Sequence, residues 1–382
     1  MLLLWLAAGC RYGFATVDSD SGSVQADGDG VSPGAGGVVV AQATVIDNGA
    51  RVNCPEITSD GNSFAMIWWD DRLARNMTWK LYFRRFTLDG APLGSELVFD
   101  APGAGDNCMI NRELFWTGSQ YALLYTATAN PKSVVMLANI AADGTLMGAP
   151  LQLTSGSMDQ HFNASAWLGS SIGVVYTERL NGTTDEVRHL TSTLAGVVTN
   201  DAPVSGTVTQ RTSATTAVTA GGEAVVWIES NALHYSYVAP LPTNNITVTT
   251  DATLFSGTDP DSIQIGSKQL LLYEKNSVQE YELLSVDPST AAPSGSPLTF
   301  SQIGGSELHA VGTSLVMTHD SARLELLDAS GNPTGQLLGP PTGSRPSAPS
   351  VAAVAGGELA FAWQEYDPFV PWYRIRFARI AP

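Results

Sequence analysis

Seven times along the chain, a glycine turn leads into a short apolar run that closes, in six cases, on an aromatic residue. The runs are GNSFAMIWW from Gly61, GSQYALLY from Gly118, GSSIGVVY from Gly169, GGEAVVW from Gly221, GSKQLLLY from Gly266, GTSLVMTH from Gly312 and GGELAFAW from Gly356. Each is the length of a strand, is rich in β-branched and aromatic side chains, and is bounded by turn residues. Trp68 and Trp363 lie six units apart, so one unit averages about 49 residues. Strand-only units of this length cannot each bury two apolar faces alone, and they stack side by side to do so.

A second landmark recurs downstream of four of the runs: TLDGAPLG at 87–94, AADGTLMG at 141–148, TLAGVVTN at 193–200 and DASGNPTG at 328–335. Asp-Gly and Ser-Gly steps supply the positive φ of tight hairpins. Each unit therefore reads as four antiparallel strands, a to d, and the chain reads as an all-β propeller of seven four-stranded blades, six and eight being the neighbouring counts. The last unit stops after its third strand, YRIRFARIA, while VVVAQATVID at residues 38–47 precedes the first complete unit as a strand d would. The N-terminal strand is thus expected to complete the last blade and close the ring, burying the two faces an open array would expose.

The step Trp68-Trp69-Asp70 and the hairpin Arg85-Phe86-Thr87-Leu88-Asp89-Gly90 resemble the units of secreted bacterial β-propeller repeat proteins. The resemblance spans residues 38–382. It implies the fold and carries no activity with it.

Residues 1–9, MLLLWLAAG, are apolar but too short to span a bilayer, which takes roughly 20 residues. They read as a signal segment. With Cys10 they form LAAGC, which resembles the lipobox of bacterial lipoproteins, and this implies cleavage before Cys10 and its acylation. An ordinary secretory signal is the alternative. Residues 10–37 combine this cysteine with a Gly/Ser/Asp-rich stretch that cannot offset its ordering entropy, so they read as a flexible tether. The spacing of Asp18, Asp20, Asp27 and Asp29 hints at a calcium loop but lacks the acid at its twelfth position. The expected location is the cell envelope as a lipoprotein, or otherwise the medium as a secreted protein.

Asp plus Glu number 36 against 19 Lys plus Arg, a net charge of −17. With no basic cluster to neutralise phosphates, nucleic acid is not an expected partner. A membrane is expected only through a lipid on Cys10. GxSxG, HExxH, Walker and dinucleotide motifs are absent from the sequence, as are sialidase-type SxDxGxTW boxes.

Loops joining strands d to a and b to c share one face around a propeller's channel, the default binding site. Four units place an acid two positions after the strand-b aromatic: Asp70, Glu178, Glu229 and Glu365, with Asp71 and Asp367 nearby. Such carboxylates can hold a divalent cation, calcium above all, or a cationic or sugar ligand; equally, they can simply solvate strand ends. No cofactor is expected otherwise. Aromatics near the same loops, Trp69, Trp79, Tyr366, Phe369 and Trp372, are candidates to stack on sugars or on a partner's anchor, or to pack between blades. Cys54 and Cys108 occupy matching contexts, GARVNC and GAGDNC, and are a candidate disulfide pair in an oxidising compartment, two reduced thiols being the alternative. The five histidines are scattered and sit in no recognisable motif.

Three functional readings follow for what is expected to be a monomer. The first is a non-catalytic binding or scaffolding module for a protein or polysaccharide. The second is a polysaccharide hydrolase or lyase using a pair among Asp70, Glu178, Glu229 and Glu365, since glycoside chemistry needs only two carboxylates about 5–9 Å apart. The third is a structural spacer without a ligand.

Overall fold

The computed structural model describes residues 38–46, 51–72, 79–101, 112–129, 132–181, 184–205, 214–219, 222–229, 232–239, 246–249, 260–275, 280–301, 307–311, 314–319, 323–328, 330–338, 345–354, 357–366 and 373–381. In it, strand b of the first blade, Ser63–Asp70, is buried along its whole length. Its side chains divide by the two-residue period of an extended strand. Phe64, Met66 and Trp68 pack with Ala360, Ala362 and Phe377 of the last blade, whereas Ala65, Ile67 and Trp69 pack with Leu114, Tyr121 and Leu123 of the second. Continuous apolar runs are thus required because both faces of each strand b are covered.

The same division repeats around the molecule. Seven four-stranded antiparallel sheets form, each from four successive strands except the last. Seven apolar clusters sit one at each junction between neighbouring blades. The core is therefore a ring of interfaces rather than one central mass. Each fully buried aromatic at these interfaces, such as Trp68, Trp227 or Trp363, contributes roughly 2–3 kcal/mol.

Strands a form the inner circle, each touching the strand a of the blades before and after it: Val52–Ser59, Arg112–Trp116, Asp159–Trp167, Ala214–Thr219, Asp261–Ile265, Leu308–Val311 and Arg345–Ala353. The last blade draws its outermost strand from the other end of the chain. Val38–Ile46 pairs antiparallel with Tyr373–Ala381, with Val38 opposite Ala381 and Ile46 opposite Ile375. The ring closes as the sequence anticipates.

The hairpins between strands c and d owe their shape to local chemistry. Asp143 accepts hydrogen bonds from the Thr145 backbone N–H (2.9 Å) and hydroxyl (2.6 Å), and Gly144 takes the left-handed φ of 92° that the turn demands. Asp287 does the same for Ser289 and Thr290, and Asp328 for Ser330 and Asn332. These bonds favour the ionised form, the Ser289 hydroxyl contributing most at Asp287, whose carboxyl is held down at about 2.

Candidate functional site: the central channel

The acids that follow the strand-b aromatics are spoken for within their own blades. Residues i and i+2 of a strand share a face, so each such acid lies beside the aromatic it follows. Trp68 Nε1 donates to Asp70 Oδ2 at 3.3 Å, and Trp227 Nε1 to Glu229 Oε2 at 3.4 Å. Asp70 is fully buried and also accepts from the Arg72 backbone N–H (2.8 Å) and Nε (2.7 Å). Asp71 accepts from Arg51 N and Nε, Glu178 accepts from Gln160 Nε2 at 2.6 Å and faces Arg188, and Glu365 faces Arg376 Nε at 3.8 Å. Asp70, Glu229 and Glu365 stand on the ends of paired strands rather than in loops. Asp367 and Trp372 lie outside the described residues, as do Phe369, Cys10 and Cys108.

Trp69 and Trp79 are 1% and 4% exposed, inside the cluster between the first two blades, so they pack rather than stack on a ligand. Asp70→Ala should cost about 2–3 kcal/mol, because it strands a buried indole N–H and takes from Arg72 one of its two carboxylate partners, Glu96 being the other. Guanidinium chloride unfolding measures this; an unchanged midpoint would show that Asp70 does not hold its blade.

A second set of acids, unmarked in the sequence reading, converges on the axis. Glu56, Glu113 and Asp261 occupy one register position of strand a in blades 1, 2 and 5, paired with Ile67, Leu124 and Leu272. Each partner immediately precedes the strand-b aromatic. Glu307 occupies the same position in blade 6, its carbonyl accepting the Thr318 N–H beside His319. All four precede the strand-b aromatic, or His319 in its place, by twelve residues. That constant spacing is the signal from which they can be found.

These carboxylates stitch neighbouring blades together. Glu56 accepts the N–H of Leu114 in the next blade, Glu113 accepts from Ser165 N (2.6 Å) and Oγ (2.9 Å), and Asp261 accepts the N–H of Leu308. Ser350 plays the same part between the last and first blades, accepting from Ile57 N at 3.1 Å. At these four junctions one blade's strand-a side chain caps an N–H of the following blade's strand a, which has no sheet partner on its inner side.

Burial inside the ring pushes the Glu56 carboxyl up to about 8, aided by Glu113 and Glu307 and opposed by Arg112 and the Leu114 N–H. Burial likewise lifts Glu113 to about 7 and Asp261 to about 6, with Glu307 adding to both and the capped N–H groups opposing. Glu113 of blade 2 is raised by Asp261 of blade 5, so these side chains act on one another across the axis. At pH 7 Glu56 is therefore mostly protonated, Glu113 about half so and Asp261 mostly ionised. Among the described residues, no three His, Cys, Asp or Glu side chains are grouped to hold a metal ion.

Off the axis, Glu223 of blade 4 reaches into blade 3, where its Oε2 lies 3.1 Å from Nε2 of the fully buried His189. Its path is open only because residue 173 is glycine: a Cβ there would sit 1.8 Å from Glu223 Oε2. Gly173→Ala should therefore cost about 3 kcal/mol or more by displacing a buried carboxylate from its partner. Thermal and denaturant unfolding read the effect, and wild-type stability would show that the contact is dispensable.

No protein-family model and no curated protein matches the sequence. Among solved structures, the chain is similar to a protein of unknown function from Dyadobacter fermentans DSM 18053, with a TM-score of 0.50 at 10% identity over 91% of this chain and 99% of that one. It is also similar to a neuraminidase-like protein of A/little yellow-shouldered bat/Guatemala, with a TM-score of 0.45 at 10% identity over 90% of this chain and all of that one. A prolyl endopeptidase matches at 0.48 and 12% identity over 87% of this chain, which spans 50% of that protein's length. The protein is a seven-bladed β-propeller. The similarity to the Dyadobacter protein agrees with that fold and says nothing of activity.

Proposed function

We propose that the protein is an exported propeller, lipid-anchored through Cys10, that acts as a non-catalytic binding or scaffolding module for a protein or polysaccharide at the cell envelope. The observation that carries this reading is the employment of the acids. Those beside the strand-b aromatics and those on the axis accept hydrogen bonds or pair with cations inside the ring, which suits a stiff platform whose loops make the contacts. Export is supported by the disulfide at Cys54, since such bonds persist in oxidising compartments.

Two measurements test the proposal. Growth with an alkyne-tagged fatty acid should label the full chain and leave Cys10→Ser unlabelled; labelling that survives the substitution overturns the anchor. A glycan array and cross-linking in intact envelopes should give a saturable partner. If neither does, the spacer reading replaces the binding one.

The hydrolase reading is favoured by one feature, the pair Glu113 and Asp261 that act on one another across the axis, Glu113 being held up to about 7 as a general acid requires. Turnover of a polysaccharide by the wild type, abolished in a folded Glu113→Gln variant, would establish it over the binding module.

A further inference from the structure

Among the described residues, seven large apolar side chains stand exposed, and five of them gather on one face of the ring. In a four-stranded antiparallel blade the a–b and c–d turns share one face, and the b–c and d–a connections the other. Leu146 and Met147 lie in the c–d hairpin of blade 2, Val197 and Val198 in that of blade 3, and Val218 near the end of strand a in blade 4. The four hairpin residues belong to adjoining turns. Asn139 of blade 2 links them, its carbonyl accepting the Met147 N–H at 2.9 Å and its Nδ2 donating to the Leu194 carbonyl at 2.7 Å. A Cβ on Gly196 would lie 2.9 Å from Leu151 Cδ1, so the hairpin of blade 3 rests against strand d of blade 2.

This sector is also nearly free of charge. Its turns, residues 116–120, 141–150, 167–172 and 193–199, carry one charged residue, Asp143, which is engaged with Thr145. Elsewhere on the same face the turns carry Asp60, Asp89, Lys268, Asp287, Asp328 and Glu358. In a chain of net charge −17, an uncharged apolar sector marks a contact surface. The chain also enters the ring on this face. Strand c of the last blade ends at Ala381, where a c–d hairpin would begin, and Val38 lies opposite it, so the covalent path from Cys10 arrives here.

We infer that this face, with Leu146, Met147, Val197 and Val198 at its apolar centre, rests on a zwitterionic lipid surface. The four side chains enter the boundary between headgroups and acyl chains, and the acidity of the chain disfavours anionic headgroups. The b–c and d–a face then points away from the bilayer, open to a partner. This seating rests on the lipid-anchored reading above and deepens it.

The full chain carrying Cys10→Ser tests the face without a lipid. It should float with phosphatidylcholine vesicles, at high salt as at low. Met147→Glu combined with Val197→Glu should weaken that binding about tenfold or more and leave the melting temperature unchanged, since both side chains are exposed. In the lipidated wild type on the same vesicles, hydrogen exchange should slow in 141–150 and 193–199 and not in the d–a connection around Met158. If the double variant melts early, that protection decides. Absence of flotation overturns the inference, as does equal flotation with and without the double substitution, which would assign binding to the apolar residues 1–9. A dimer that the double substitution dissociates would overturn it in favour of a second copy. Loss of the fatty-acid label with flotation intact removes the anchor alone, and a label without hairpin protection removes the seating alone.

Discussion

Deleting residues 38–47 is expected to lower the melting temperature by roughly 15 °C or to abolish cooperative folding, whereas deleting residues 15–35 should leave it unchanged. The strand Val38–Ile46 pairs with Tyr373–Ala381 from Ala381 to Ile375, and Ile46 is buried in the cluster joining the last blade to the first. Without it, Tyr373–Ala381 becomes a bare edge and part of that junction faces water. The junction is also where Phe64 and Phe377 stack with their centroids 4.2 Å apart and where Ser350 caps Ile57. Loss at one point in a closed ring is felt by both flanking blades, which is why the expected effect exceeds that of losing a strand from an open sheet. Calorimetry on the two deletions decides the matter, and equal melting temperatures would refute closure by this strand.

The second large effect is a fall in stability as pH rises from about 5 to 8. Glu56, Glu113 and Asp261 have folded-state values of about 8, 7 and 6, all above the ordinary carboxylate range. A carboxyl raised on folding binds its proton more tightly in the native state, so its contribution is complete below the unfolded value and is lost as pH climbs through the folded one. The acids that cap hairpins act in the opposite sense. Asp287, Asp143 and Asp328 are held low, each chiefly by a neighbouring side-chain donor, and their contribution is lost as pH falls toward their folded values. Stability should therefore peak near pH 5. Glu56→Gln keeps an acceptor for the Leu114 N–H but cannot ionise, so it should flatten the alkaline limb of a melting-temperature profile. A wild-type profile level from pH 5 to 8 would show that burial in the ring does not raise these acids.

How far the sequence reveals this molecule depends on the range of the signal. A strand with two apolar faces and a glycine turn are written within ten residues, so the repeats and most of the strands are legible directly. The closing strand is legible because a unit lacking strand d and a spare strand appear at opposite ends. Asp70 and Glu229 were readable as acids beside an aromatic, but the i, i+2 rule already places them on the indole's face, where hydrogen bonding to Trp68 and Trp227 is the natural outcome. Glu56, Glu113, Asp261 and Glu307 carry a regular twelve-residue offset, yet nothing local says that this register position faces an axis shared by all the blades.

By itself, then, the sequence determined the unit, its four strands and the means of closure, because each follows from alternation, turn chemistry or a missing piece, and it pointed to the seven copies that the sheets then fixed. Only the tertiary structure decided which polar groups work together. Glu223, His189 and Gly173 come from two blades and three strands, and Glu113 answers to Asp261 across the channel. Such partnerships depend on distances set by the closed ring, and a carboxyl's proton affinity depends on the water and charge around it, neither of which is encoded by neighbours along the chain.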